Sequence, residues 1–257
     1  GTNGTPIGSP GQRPNLANGY GGGSAVVDGT GSGQYGAGPG LARLSISSPY
    51  PQQKCIFSLG VNGANGATAF YDFSPSAATV TRTGAVQHSS AKKNFTSNTI
   101  WLNGGYLSVV PAGLADFSSY SYARISIKWM YMNGAGTSVL FDSRTGTGSV
   151  DGFCVIFDPI LGKIYLYARE YIIAEYAVSA ASLNGVWKMV DVEIIPGATR
   201  AIFRLSLAGA VVATGVSTSI GAIYATDRLT FGCLNDGGGG LSTASDYIAG
   251  IAIYVMK

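Results

Sequence analysis

Three features of this 257-residue sequence predict an all-β fold: a two-sheet antiparallel jelly-roll sandwich behind a Gly-rich, largely irregular N-terminal arm. Short apolar runs with period-2 texture recur from Phe70 onward, each is closed by Gly, Asn, Asp or Pro, and no stretch sustains a helical period. Phe95–Asp142 displays all three. It reads FTSNTIWLNGGYLSVV, a loop, YARISIKWMYM, a Gly-rich turn and SVLFD. In the middle run Ile125, Ile127, Trp129 and Tyr131 fall on one face and Arg124, Ser126 and Lys128 on the other, the alternation of a half-buried strand.

In chain order, residues 1–40 contain 14 glycines with Pro6, Pro10, Pro14 and Pro39, and the glycines keep no three-residue period, so no collagen helix is implied. Apolar side chains are too few there to offset the entropy of ordering the segment alone. The arm is therefore expected to be held by another subunit or a neighbouring protein. LARLSIS and KCIFSLGV read as two short strands around the turn SPYPQQ, either opening the sandwich or forming a small collar. VNGANGATA is turn-rich, and a soft boundary near Phe70 divides an assembly segment, 1–69, from a sandwich, 70–257.

Thirteen strand-like runs follow: ATAFYDF, ATVTRTGAVQHSS, TIWLNGGYLSVV, YARISIKWMYM, SVLFDSR, GFCVIFD, KIYLYAR, IIAEYAV, WKMVDVEII, AIFRLSLAG, AVVATG, DRLTFGCL and DYIAGIAIYVM. AGLADFSSY is the one candidate for a helical turn. Two packed sheets would close over Trp101, Trp129, Trp187, Phe141, Phe153 and Phe203.

Charged residues make up 11% of the chain and the net charge is +3, with Lys92-Lys93 the only adjacent basic pair. That balance argues against nucleic acid as a partner. Every apolar run is broken before the ~18 residues needed to span a bilayer, so a soluble protein without membrane insertion is expected. The first residues lack the basic and apolar regions of a signal peptide. Of three cysteines, Cys154 and Cys233 sit in apolar runs as small hydrophobes; the set suits assembly in a reducing compartment, with a bridge between chains through Cys55 left open.

The run AFYDFSPSAATVTRTGAVQHSSAKKNFTSNTIWLNGGYLSVVP resembles the opening of a laminin-G-like (concanavalin A-like) domain of the kind found in bacteriophage virion proteins. The resemblance rests on Asp-x-Ser (Asp72, Ser74), the TVTRTG strand, the KK-x-F turn and LNGGYL. ISIKWMYM, LFD, DGFCVIF, KIYLYAR, GVWKMVDVEI, FRLSLAG and DYIAGIAIY then follow in family order over residues 70–257. It implies a structural protein of a tail fibre or appendage, assembled in the bacterial cytoplasm and carried on the virion as a homo-oligomer. Residues 1–40 would contact other virion proteins and the sandwich would bind host-surface carbohydrate. A decoration or scaffold protein making only protein contacts is the alternative, and a secreted glycan hydrolase a weaker one. Many such domains bind calcium between the Asp-x-Ser loop and an acidic residue after the Tyr-Ile of the last strand. Asp72 matches the first position, but Ala249-Gly250 stands at the second and Asp246 falls on the opposite strand face, so no cofactor beyond a possible calcium is implied.

Glycoside hydrolases of this sandwich present Glu-x-Asp-x-Glu on one strand. The nearest match, Met189-Val190-Asp191-Val192-Glu193, puts Met189 at the nucleophile position, and Asp191 and Glu193 read as a polar outer strand face. The single histidine, His88, lies in a polar turn-flanking stretch and reads as a surface residue, with no elbow or metal partner nearby. An enzyme is therefore not expected. Ligand contacts are placed instead on loops 133–136, 143–150 and 235–245, through Asn133, Arg144, Asn235 and Asp236, where glycines let a ligand approach the backbone.

Overall fold

The computed structural model describes residues 53–95, 97–110, 116–133, 136–144, 151–223, 228–234 and 245–257. The arm, residues 1–40, and the run LARLSIS lie outside them. Alternating side chains make fifteen strands: β1 (Lys54–Leu59), β2 (Thr79–Thr83), β3 (Gln87–Asn94), β4 (Ser97–Trp101) and β5 (Tyr106–Val110). They continue as β6 (Tyr122–Met130), β7 (Ser138–Asp142), β8 (Phe153–Asp158), β9 (Lys163–Ala168) and β10 (Tyr171–Ala177). A helical turn, α1 (Ala180–Leu183), precedes β11 (Trp187–Pro196), β12 (Ala201–Leu207), β13 (Ala210–Val216), β14 (Leu229–Phe231) and β15 (Tyr247–Met256).

The strands form two antiparallel sheets packed as a sandwich. The larger has eight, ordered β13-β12-β11-β6-β15-β4-β3, with β1 also on β15; the smaller runs β10-β9-β8-β7-β14-β5-β2. The sheets enclose a core of Phe57, Phe141, Phe153, Phe157, Phe203, Phe231 and Trp129, all at most 2% exposed. Each such side chain withdrawn from water contributes about 1.5–3 kcal/mol. Trp101 and Trp187, expected in that core, are only half-buried.

Of the two readings of KCIFSL the structure shows the first: it joins the sandwich, pairing with β15 from Lys54↔Val255 to Leu59↔Ile251, on the N-terminal side of the soft boundary near Phe70. Several expectations are corrected. ATAFYDF is no strand; it touches β1 through one bridge, Leu59↔Asp72. TIWLNGGYLSVV is two strands in different sheets, because Asn103 and Gly104 both take left-handed φ (42° and 73°) and turn the chain from β4 over to β5. Only residues 116–120 of the expected helical turn AGLADFSSY are described; they make one hydrogen-bonded turn, Tyr120 N to Phe117 O at 3.2 Å, without helix. Helical turns form instead at α1, whose Ser179 side chain accepts from Ser182 N at 3.3 Å, and as a 3-10 turn at Ile220–Ile223.

β15 shares one edge between two partners. β4 takes Tyr247 and Ile248, and β1 takes Ile251 to Val255. The β3–β4 hairpin therefore cannot extend in the sheet plane past Thr99 without meeting β1. The register between β3 and β4 shifts there, from Ser89↔Thr99 to Asn94↔Ser97, and the hairpin tip folds over the sheet's outer face.

Candidate functional site

Directly paired residues of neighbouring antiparallel strands share a face. On β6, Ile125, Ile127 and Trp129 face the core, which leaves Arg124, Ser126, Lys128 and Met130 on the outer face of the larger sheet. Register then fixes four rows across it. The first is Gln87–Trp101–Tyr247–Met130–Trp187. Below it lie Gly250–Lys128–Met189, then Ala252–Ser126–Asp191–Ser206, then Tyr254–Arg124–Glu193–Arg204.

The lower two rows form a closed polar network. Asp191, 5% exposed, accepts from Arg124 Nε at 3.1 Å, from Arg124 Nη2 at 2.9 Å and from the Ser126 hydroxyl. Glu193 accepts from the Tyr122 hydroxyl at 2.9 Å and lies 3.7 Å from Arg204. Burial, and then the Glu193 carboxylate, raise the Tyr122 hydroxyl far above its ordinary value, and burial pushes Tyr254 up to about 12. Both carboxylates are thus engaged by partners within the face, and Met189 occupies the remaining position of the hydrolase pattern.

The upper row is aromatic. Trp101 stacks on Tyr247 with ring centroids 6.0 Å apart and planes 9° apart. Its indole N–H is out of solvent with no hydrogen-bond partner among the described residues. Met130 separates Tyr247 from Trp187, so the row spans about 14 Å, three strand spacings. Between the two halves stands Lys128, with its Nζ 5.0 Å from the centroid of the Phe95 ring, which is 87% exposed at the hairpin tip. Gly250, opposite Lys128 on β15, puts no side chain between Lys128 and the hairpin. The face is thus an aromatic platform, a wall at Phe95 and a hydrogen-bonding floor.

From behind, Asp246 anchors the platform. It is 1% exposed, accepts from Trp129 Nε1 at 2.8 Å and Met132 N at 3.1 Å, and its carbonyl accepts from Leu102 N at 3.0 Å. Burial pushes its carboxyl up to about 6 against these hydrogen bonds and the neighbouring Ser138 hydroxyl.

Of the loop residues expected to bind ligand, the two that are described, Asn133 and Arg144, lie at opposite ends of the sandwich. Asn133 is exposed just beyond the end of β6, its N–H held by Asn184 Oδ1 at 2.9 Å. Arg144 follows β7, which carries the chain from that end of the sandwich to the other, about 17 Å away. There Arg144 pairs with fully buried Asp142, Nη2 to Oδ2 at 2.8 Å and Nε to Oδ1 at 3.0 Å. Asn235 and Asp236 lie outside the described residues. Asp72 does not fit a calcium ligand. Its Oδ1 accepts from Ser58 N and Ser74 N and its Oδ2 from the Ser74 hydroxyl and Ala78 N, at 2.8–2.9 Å, which fills a carboxylate's acceptor sites and straps the 72–78 loop to β1. Among the described residues no group of three His, Cys, Asp or Glu side chains could hold a metal.

His88 is not on the surface. It is 2% exposed, stacks on Phe70 at 4.8 Å and donates from Nε2 to Ala69 O at 3.0 Å; burial lowers its pKa, against the pull of that carbonyl. The three cysteines are unbridged, with Cys154 and Cys233 buried.

No protein-family model matches the chain, and no curated protein matches it in sequence. Its fold does match solved structures. The botulinum neurotoxin serotype D/C binding domain superposes with a TM-score of 0.56 at 15% identity, over 79% of this chain and 49% of that one. A botulinum neurotoxin type C structure, whose description ties cell entry to interaction with two ganglioside molecules, matches at 0.56 and 17%, over 79% and 48%. The binding domain of botulinum neurotoxin DC in complex with SialylT matches at 0.56 and 14%, over the same shares. The chain spans about half the length of these proteins. At such identities the likeness shows the fold alone, a two-sheet β-sandwich.

Proposed function

We propose that this chain is a non-enzymatic, glycan-binding sandwich of a virion appendage, which recognises host-surface carbohydrate through the outer face of its larger sheet. The observation that carries the reading is the Trp101–Tyr247–Trp187 platform beside a satisfied hydrogen-bonding network. A sugar presents an apolar ring face and a rim of hydroxyls; the half-buried Trp101 and Trp187 offer a partner for the first, and Arg204 and Glu193 at the network's exposed edge for the second. The shared fold of domains whose descriptions name gangliosides and SialylT supports the reading. The virion setting is supported by the laminin-G-like motif order, with residues 1–40 as the segment that joins other virion proteins and a homo-oligomer as the displayed form. Modest affinity per site would then be multiplied by repeated display.

The test is binding of the full chain to a glycan panel and to host cells, with Trp187→Ala and Trp101→Ala as variants. Removing one stacking surface should weaken binding about tenfold, the size of an aromatic contact worth ~1–1.5 kcal/mol. Binding that survives both substitutions but disappears when residues 133–136 are replaced would move the site to the loops.

A further inference from the structure

We infer that the glycan seated on this face carries an anionic group, a carboxylate or sulfate on the sugar, held at Lys128 and the neighbouring Lys92-Lys93 hairpin. The inference rests on the proposed glycan-binding role of the same face and adds the chemical class of its ligand.

It follows from how the charges on the face are matched. Arg124 is paired with Asp191, and Arg204 faces Glu193. Lys128 sits in the row between platform and polar floor, and no carboxylate among the described residues pairs with it. Its closest charge-related contact is the face of the Phe95 ring, which stabilises an ammonium by ~0.5–1 kcal/mol at an exposed site but does not neutralise it. Lys92 and Lys93, on the strand that ends in the same hairpin tip, likewise have no carboxylate partner among the described residues.

The backbone explains why the hairpin that carries Lys92 and Lys93 comes to Lys128. Because β1 occupies the edge of β15 from Ile251 onward, the β3–β4 hairpin is turned over the face, and the Lys-Lys-Asn-Phe sequence leaves the sheet at that point. Gly250, directly opposite Lys128, adds no side chain, so the ammonium meets no charged neighbour on β15 and stands one row from the Tyr247 and Trp101 rings. A sugar stacked on the platform would direct a ring substituent towards Lys128 in the next row. A hydroxyl there would leave the cation unmatched. An acidic substituent would complete the pairing of every charge in these rows.

The experiment compares matched glycan pairs on the full chain: sialylated and desialylated, uronate and its methyl ester, sulfated and desulfated, with inorganic sulfate as a free-ion control. The acidic member of a bound pair should bind about tenfold tighter, the contribution of one charge-assisted hydrogen bond at a half-exposed site. The advantage should shrink in 0.5 M salt, where the screening length falls to roughly 4 Å, and should vanish in Lys128→Gln with thermal stability unchanged. Trp187→Ala should weaken both members alike. Equal affinity within every pair, with both members lost on Trp187→Ala, would overturn the inference while leaving the glycan-binding reading intact. An acidic preference that persists in Lys128→Gln, or sulfate alone competing as well as the acidic glycan, would also overturn it. Binding of no pair at all would remove the reading and the inference together.

Discussion

Asp246→Asn should make the protein's stability respond differently to pH, and the structure sets the size of the change. The Asp246 carboxyl is 1% exposed and titrates at about 6 in the folded chain, against an ordinary value of 3.8. A raised carboxyl pKa means that the folded state holds a proton which the unfolded state has released. Its contribution to stability is fully present below pH ~4 and is lost as pH rises through about 6. The difference of about two pKa units corresponds to about 3 kcal/mol at 1.36 kcal/mol each. An asparagine keeps an acceptor for Trp129 Nε1 but cannot ionise, so whatever it costs in hydrogen bonding is constant with pH. The variant should therefore gain about 3 kcal/mol relative to the wild type between pH 4 and pH 7, measured by urea unfolding of both chains at half-unit intervals. His88 acts in the opposite sense: its lowered pKa costs stability as pH falls below 6.5. Both chains retain His88, so its effect cancels in the difference. A gap between variant and wild type that stays flat from pH 4 to 7 would refute the account of Asp246.

Arg144→Ala should cost about 3 kcal/mol of unfolding free energy, because it leaves the fully buried Asp142 carboxylate without its guanidinium, yet should leave glycan binding unchanged at the other end of the sandwich. A stable variant that no longer binds would restore the loop site. Deleting residues 1–40 should leave a folded sandwich that still binds glycan but no longer enters particles, scored by particle composition after assembly; normal incorporation would reject the arm as the anchor.

The strands were legible because each is written locally, in alternation closed by turn residues. Even α1 carried a signal that could have been used: Ser179 before Ala-Ala-Ser-Leu, with Gly185 just beyond, is a capped helical turn. Sheet membership was not legible at Leu102–Gly105, since a tight turn within a hairpin and a turn that crosses between sheets use the same residues. His88 was misread because the loop that buries it, residues 63–70, has no period to announce it. The platform was missed for a different reason. Trp101, Tyr247 and Trp187 are distant in sequence and meet only through register, which is a long-range property. Yet Trp187 shares the parity of Asp191 and Glu193, which were read as outward-facing, so period 2 alone placed it on the outer face and not in the core.

That parity explains why one sheet can serve both stability and recognition. The inward residues of β6, β11 and β15, Lys188 at the start of β11 excepted, are apolar and fill the core; their outward neighbours include Trp187, Tyr247, Arg124 and Glu193. A face left to water alone would be made of small polar and charged residues, as β3 largely is. Here the outward residues instead bury one another, with Tyr247 at 7% and Met130 at 5% exposed. Asp246 joins the two functions: it binds Trp129 of the core through its side chain and Leu102, next to Trp101, through its carbonyl. Loosening the core at Trp129 should therefore disturb the platform, whereas a change at the platform's rim, such as Lys128→Gln, should not propagate inward.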